Sequence, residues 1–259
     1  MLSKVKTVLI DLSGTLHVES TETPGAIDAL NRLRSSGLKL RFVTNTTKES
    51  QNYLYNRLKS IGFDIRKEEI FTSLLAAKEL VKKLKLKPYL MLADEAKEDF
   101  EDIPCVQTEH EDGNGVVIGL APNRFNYESM NTAFHMLLNR SQLIAINKSR
   151  YYKTNSGLCL AAGPFVAALE FATDTKAMVV GKPNDQFFMQ ALEPFDCRPD
   201  EAVMIGDDVR DDIDGAQRLG MTGILVQTGK YRASDETMIN PPPNYLLPTF
   251  SDAIDLLLK

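Results

Sequence analysis

Short apolar runs alternate with amphipathic stretches in the first part of the chain. Strands are predicted over residues 5–10 and 38–43, and a helical pattern over residues 26–33 ends at Gly37. Thr46 or Thr47 can N-cap a further helix, which ends at Gly62. This β-α-β-α order predicts a parallel sheet with helices on both faces.

The same alternation returns near the C-terminus. Strands are predicted over residues 177–180, 202–205 and 223–226, with helices near 184–193 and 209–219. Together the two blocks predict a doubly wound α/β core of the Rossmann-like type.

A middle region separates the two blocks. Its predicted strands are residues 89–93, 115–118 and 143–146, and its predicted helices are residues 126–140 and 163–172. These elements could extend one large sheet or form an inserted domain. The polar stretch 94–114 interrupts the pattern and favours the insertion.

Composition and charge are those of an ordinary globular protein. Hydrophobic residues make up 43% and charged residues 25% of the 259 residues. The formal net charge of -5 argues against a nucleic-acid partner, because binding to a phosphate backbone needs clustered Lys and Arg. No apolar run approaches the roughly 20 residues that span a bilayer, so no membrane partner is expected.

The three cysteines are widely separated and form no CxxC pair: Cys105, Cys159 and Cys197. This pattern favours a reducing compartment. We therefore expect a cytosolic protein, and the sequence leaves its oligomeric state open, a homo-oligomer included.

Polar residues follow four predicted strands at the point where each strand ends: Asp11, Thr44 with Asn45, Lys182, and Asp207 with Asp208. In open α/β sheets, ligands bind at the carboxyl ends of the strands. Carboxylates from two strands suit Mg²⁺, which would neutralise phosphoryl oxygens. Lys182, Thr44 and Asn45 would donate hydrogen bonds to the same oxygens. Asp11 is then placed to attack phosphorus and form an aspartyl-phosphate.

Each of these residues also has a purely structural interpretation. A single Asp or Asn at a strand end is usually a turn or capping residue, and the coincidence of four is what indicates a site. The acidic stretch 206–215 lacks the ligand spacing and the closing Glu of an EF-hand loop, which argues against calcium sensing.

Four segments in this order resemble the motifs of the haloacid dehalogenase superfamily: Asp11-Leu-Ser-Gly-Thr15, Val43-Thr-Asn-Thr-Thr47, Gly181-Lys-Pro183 and Gly206-Asp-Asp-Val-Arg-Asp-Asp-Ile213. The third segment, with Gly229-Lys-Tyr231, is similar to the subclass that carries a large α/β cap. The resemblance covers nearly the whole chain. It implies a catalytic core of residues 1–74 and 177–259 with an inserted cap domain over residues 75–176.

Carried over by position, the resemblance also implies roles for single residues. The Mg²⁺ ligands would be Asp11, the backbone carbonyl of Ser13, Asp207 and Asp212. The small phosphorylated substrate would be bound by Asp11, Leu12, Ser13, Thr44, Asn45 and Lys182. Asp11, Ser13 and Lys182 would carry the catalysis.

Ser13 departs from the family pattern. Most phosphatases of the superfamily have a second Asp at this position, which serves as acid and base, whereas a serine hydroxyl cannot shuttle a proton near neutral pH. We therefore expect a phosphatase that is weak or selective for good leaving groups, such as pyrophosphate, aryl or acyl phosphates and phosphoramidates. The alternative is a phosphate-binding or interaction protein that has lost turnover.

Two further features are left open by the sequence. His17 could replace the missing proton carrier, or it could be an ordinary loop histidine. In the predicted cap, Lys148 or Arg150 could reach the distal part of a substrate, or both could lie on an exposed turn.

Overall fold

The computed structural model describes residues 2–154 and 156–259. Its strands are β1 (Thr7–Ile10), β2 (His17–Val18), β3 (Thr21–Glu22), β4 (Lys39–Thr44), β5 (Ile70–Thr72), β6 (Pro88–Met91), β7 (Gly115–Ile118), β8 (Gln142–Ala145), β9 (Tyr151–Thr154), β10 (Gly157–Leu160), β11 (Met178–Val179), β12 (Ala202–Gly206), β13 (Thr222–Val226) and β14 (Tyr245–Leu247). Its α-helices are α1 (Ala26–Ser35), α2 (Gln51–Ile61), α3 (Ser73–Lys83), α4 (Tyr127–Leu138), α5 (Gly163–Thr173), α6 (Asp185–Leu192), α7 (Gly215–Arg218) and α8 (Phe250–Leu257). A π-helical segment, Val209–Asp214, precedes α7.

The central sheet is parallel throughout, with the strand order β14-β13-β12-β1-β4-β5. Successive side chains of β1 face opposite sides, as strand geometry requires. Val8 and Ile10 pack with residues of α1, α2 and α8, whereas Leu9 packs with Phe187 and Phe188 of α6. Helices therefore cover both faces, and the predicted doubly wound α/β fold is confirmed.

The middle region forms a second parallel sheet, with the order β11-β8-β7-β6. On one side Val117 and Ile144 pack with apolar residues of α3. On the other, Val116 and Leu143 pack with residues of α4 and α5. A separate sheet with its own two cores favours the inserted domain over one extended sheet.

The strand predicted over residues 177–180 contributes to this second sheet, because Met178 and Val179 pair with Ile144 and Ala145 of β8. The proposed division at residues 74 and 177 remains a prediction. The pairing of β11 would move the second border of the cap to about residue 180.

The predicted N-cap of α2 is wrong. Ser50, rather than Thr46 or Thr47, caps the helix by accepting a hydrogen bond from the Tyr53 amide at 3.1 Å. Thr47 is used elsewhere, since its hydroxyl accepts the Leu120 amide at 2.6 Å. Residues 45–49 therefore form a loop at the carboxyl end of β4 instead of a first helical turn.

Several elements were not predicted from the sequence: β5, α3, the β2–β3 hairpin, the β9–β10 hairpin and β14. Among the described residues, no helix combines the length and the apolar character that crossing a bilayer requires.

Candidate active site

Three aspartates meet at the carboxyl edge of the central sheet. Asp11 follows β1, Asp207 follows β12, and Asp212 lies in the π-helical segment. One carboxylate oxygen from each lies within 4.8 Å of the other two, and all three residues are buried. The structure thus brings together acidic residues that are some 200 positions apart in the sequence.

Lys182 lies between two of these carboxylates. Its ammonium nitrogen is 2.6 Å from Asp11 Oδ1, 2.6 Å from Asp212 Oδ1 and 3.0 Å from the Val43 carbonyl oxygen. Burial acts to lower the pKa of Lys182, but the two carboxylates outweigh it and raise the pKa. The side chain is therefore a buried cation.

The single positive charge of Lys182 does not balance the charges of the three aspartates. Burial, reinforced by the neighbouring aspartates, raises the pKa of Asp207 well above its usual value and the pKa of Asp212 to about 7. Within the described residues, Asp207 Oδ1 is buried and has no hydrogen-bond partner. Buried carboxylate oxygens that repel one another and lack donors fit a divalent cation such as Mg²⁺, which prefers oxygen ligands.

Two glycines allow the close approach of backbone to Asp207. Gly14 has φ +102°, and a Cβ there would lie 2.0 Å from Asp207 Oδ2. Gly229 has φ +55°, and its Cβ would lie 2.1 Å from the same oxygen and 2.4 Å from Gly14 Cα. Thr228 ties these loops together by donating to the Gly14 carbonyl at 2.6 Å. Only glycine fits these two positions.

Lys230 is a site residue to which the sequence gave no role. Its backbone amide donates to Asp207 Oδ2 at 2.6 Å, and its ammonium nitrogen lies 3.1 Å from Asp208 Oδ2. Burial acts to lower the pKa of Lys230, but the surrounding aspartates raise it well above its usual value. The signal that could have revealed it is its place four residues after β13, at the same edge of the sheet.

A pocket of about 560 Å³ opens above the aspartates. It is lined by residues of both sheets' loops, among them Asp11, Ser13, His17, Thr44, Asn45, Lys48, Ser149, Tyr151, Tyr152 and Lys230. Among the lining residues, the Lys48 ammonium lies 4.0 Å from the centre of the Tyr152 ring. The pocket is large enough for a phosphoryl group with a small leaving group.

Thr44 and Asn45 both line the pocket, but their side chains have different hydrogen-bond partners. The Thr44 hydroxyl accepts the Thr46 amide at 3.1 Å. The Asn45 side chain is committed to Lys182: its amide donates to the Lys182 carbonyl and its oxygen accepts the Lys182 amide, both at 2.9 Å. Asn45 therefore positions Lys182 in this structure. The side chain of Leu12 belongs to the hydrophobic core.

Ser13 and His17 both border the pocket. Ser13 is exposed, whereas His17 is buried and its Nδ1 lies 2.9 Å from the Glu19 carbonyl oxygen. Burial, together with the positive charge of Arg57, lowers the pKa of His17 to about 4. At pH 7 such a histidine is neutral and lacks the acidic imidazolium proton that a leaving group would need, so we assign it no role as the proton carrier.

The cap contacts this edge through polar side chains. Ser149 Oγ donates to Asp211 Oδ2, and Asn147 donates to the Asn45 carbonyl at 2.8 Å. Lys148 instead pairs with Glu170 at 2.5 Å, away from the pocket. The structure therefore does not support the interpretation in which Lys148 contacts the distal part of a substrate.

Comparison with known proteins gives two family matches. A model of haloacid dehalogenase-like hydrolases matches residues 8–103, and a model of HAD-hydrolase-like proteins matches residues 179–253. The chain is 56% identical over 255 residues to haloacid dehalogenase-like hydrolase domain-containing protein 2 of Rattus norvegicus, covering 98% of this chain and 96% of the relative. It is 40% identical over 264 residues to phospholysine phosphohistidine inorganic pyrophosphate phosphatase of Homo sapiens, covering 100% and 96%.

Two solved structures are similar over most of this chain. The 4-nitrophenylphosphatase of Thermotoga maritima has a TM-score of 0.88 at 23% identity and covers 98% of both chains. The glycerol phosphate phosphatase of Mycobacterium tuberculosis, solved with magnesium, has a TM-score of 0.85 at 25% identity and covers 96% of this chain and 77% of its own.

Proposed function

Since this chain belongs to the haloacid dehalogenase-like hydrolase family, we propose that it is a Mg²⁺-dependent phosphohydrolase that acts through an aspartyl-phosphate on Asp11. The observation that carries the proposal is the cluster of Asp11, Asp207 and Asp212 at the base of a pocket. Mg²⁺, held by these carboxylates and the Ser13 carbonyl, would neutralise the phosphoryl oxygens.

The protein's own side chains would orient the nucleophile. Lys182 binds Asp11 Oδ1 at 2.6 Å, and the Thr15 hydroxyl lies 3.4 Å from Asp11 Oδ2. Asn45 holds the backbone of Lys182 in place. Thr44, at the pocket wall, would donate its hydroxyl hydrogen to a phosphoryl oxygen. A nucleophile fixed on both sides loses little entropy when it attacks phosphorus.

The proposed substrates have leaving groups that depart without a proton from an acid of the enzyme. General acid-base help is typically worth about 10²- to 10⁴-fold, or about 3–5 kcal/mol of barrier. Ser13 cannot supply it, and the pKa of His17 is too low to replace it. Pyrophosphate and aryl or acyl phosphates depend least on this help. The name of one relative includes inorganic pyrophosphate and two phosphoramidates, which supports the same substrate range.

A screen for phosphate release tests the proposal. The substrates are pyrophosphate, 4-nitrophenyl phosphate, a phosphoramidate and glycerol phosphate, each with Mg²⁺ and with EDTA. We expect turnover with Mg²⁺ on all but glycerol phosphate, and none with EDTA. Binding of phosphate without turnover of any substrate would instead establish the rival function, a phosphate-binding protein on the same fold.

Restoring the missing carboxylate is expected to broaden the substrate range. Ser13 is exposed to the pocket, so the larger side chain of Ser13→Asp can be accommodated. We expect glycerol phosphate hydrolysis to rise by about 10²-fold, because the new acid protonates the alkoxide. Pyrophosphate hydrolysis should rise much less. Ser13→Asn, which is similar in size but cannot transfer a proton, is the matched control. Equal rates for the two variants on glycerol phosphate would refute this account of Ser13.

A further inference from the structure

Lys230 is a partly buried cation for which the proposed mechanism has no task. It lines the pocket together with Asp11 and Ser13. Ser13 precedes Gly14 and Lys230 follows Gly229, and these two glycines are in close contact. Ser13 and Lys230 therefore flank one tight junction between two loops. A cation and the position where an acid is missing thus line the same pocket.

The two lysines of the site differ in their free hydrogen-bonding capacity. An ammonium group has three donors. The Lys182 ammonium contacts three protein oxygens, those of Asp11, Asp212 and Val43. Within the described part of the chain, the Lys230 ammonium has one such contact, to Asp208 at 3.1 Å, and its side chain is 16% exposed. Two of its donors are therefore available to a molecule in the pocket.

The Lys230 side chain is also held in place. Its backbone amide is bound to Asp207 at 2.6 Å. Asp208, which holds the ammonium, accepts the backbone amides of Arg210 and Asp211 at 3.0 Å each. A fixed cation stabilises a charge that develops beside it without the cost of reorganisation. Charge balance alone would require a cation near the aspartates, but it would not require these hydrogen bonds that fix the position of the cation.

We propose that Lys230 is a catalytic residue that stabilises the leaving group as an anion, and that it accelerates the hydrolysis of substrates whose leaving atom is an oxygen more than the hydrolysis of phosphoramidates. The proposal rests on the proposed function and explains how one residue of that site treats the different leaving groups of its substrates. Pyrophosphate, acyl phosphates and aryl phosphates fit, because each releases an oxyanion. Phosphoramidates remain substrates of the site, but their nitrogen leaves as a protonated amine and gains nothing from a nearby cation.

The step balances without an acid. A bond forms between an Asp11 carboxylate oxygen and phosphorus as the bond from phosphorus to the leaving oxygen breaks. The electron pair of the broken bond stays on the leaving oxygen. The Lys230 ammonium donates a hydrogen bond to this oxygen and keeps its proton. The anion is released to solvent, and water then hydrolyses the aspartyl-phosphate to Asp11 carboxylate and inorganic phosphate.

The test compares Lys230→Met with the wild type on aryl phosphates whose phenols differ in acidity. We expect kcat/KM to fall by about 10²-fold for the least acidic phenol and by less than about tenfold for 4-nitrophenol. A phosphoramidate should lose little. Lys230→Arg, which keeps a cation, should recover part of the loss on poor leaving groups. Lys6→Met, at an exposed ion pair at the other end of β12, is the matched control and should leave the whole series unchanged.

A purely structural role would give a different result. If Lys230 only neutralised the aspartates, Lys230→Met would lower every rate by the same factor, phosphoramidate included, and that outcome overturns the proposal. Mg²⁺ binding, measured by calorimetry, should not weaken in Lys230→Met, because a positive charge beside the aspartates has been removed. If the wild type turns over none of these substrates, the proposed function itself fails. If the wild type turns over these substrates and Lys230→Met lowers all the rates by the same factor, only the role of Lys230 is refuted.

Discussion

Asp11→Asn should lower kcat by at least about 10⁴-fold on every substrate, as expected when a nucleophile that acts in concert with its partners is removed. The amide that replaces the carboxylate neither attacks phosphorus nor carries the negative charge that a divalent cation requires. The measurement is release of inorganic phosphate, combined with acid quenching of a radiolabelled substrate. The wild type should retain label as an acyl phosphate that hydroxylamine removes, and the variant should retain none.

Loss of folding would not explain this result. In Asp11→Asn the Lys182 ammonium still has Asp212 at 2.6 Å and the Val43 carbonyl at 3.0 Å. One of three mutually repelling carboxylates is neutralised, so the melting temperature without metal should be no lower than that of the wild type. Asp102→Asn, at an exposed ion pair with Lys78, is the matched control for an acid that lies outside the site. Activity of Asp11→Asn within about tenfold of the wild type would exclude a phosphoenzyme on Asp11.

The parts of the site that sequence analysis could predict are those fixed by strand ends. β1 and β12 are short, wholly buried and mostly apolar, and parallel neighbours in one sheet place their carboxyl ends at the same edge. Asp11 and Asp207 therefore had to be close, whatever the length of chain between them. Lys182 also lies at this edge, but the strand that precedes it, β11, pairs with β8 of the second sheet, so the same reasoning does not account for its position.

The parts that sequence analysis missed depend on loop packing. Lys230 reaches the aspartates because Gly229 packs against Gly14, and no periodicity specifies such a contact. Thr47 had the pattern of a helix cap, yet a hydrogen bond from Leu120, more than seventy residues away, uses its hydroxyl instead. Long-range partners override local propensity in both cases. β5 has three residues, which are too few to show the alternation of apolar and polar positions that predicts a strand.

Lys182→Met should destabilise the protein by about 3–5 kcal/mol, the usual cost of leaving buried charges without their partner. Lys182 is 1% exposed and lies between two buried carboxylates. Its removal leaves Asp11 and Asp212 to repel each other in an environment that solvates them poorly. Urea denaturation in EDTA measures the effect, and kcat with Mg²⁺ should fall together with stability because Asp11 is no longer oriented.

A second substitution separates electrostatics from packing. Adding Asp212→Asn to Lys182→Met removes one of the unpartnered carboxylates, so the double variant should be more stable than Lys182→Met alone, although it stays inactive. Asp212→Asn by itself, with Lys182 still bound to Asp11, should cost less than Lys182→Met. If the double variant is instead the least stable of the three, the energy at Lys182 comes from the packing of its side chain. The charge balance proposed here for the aspartate cluster would then be wrong, and the case that a divalent cation completes it would lose its main physical support.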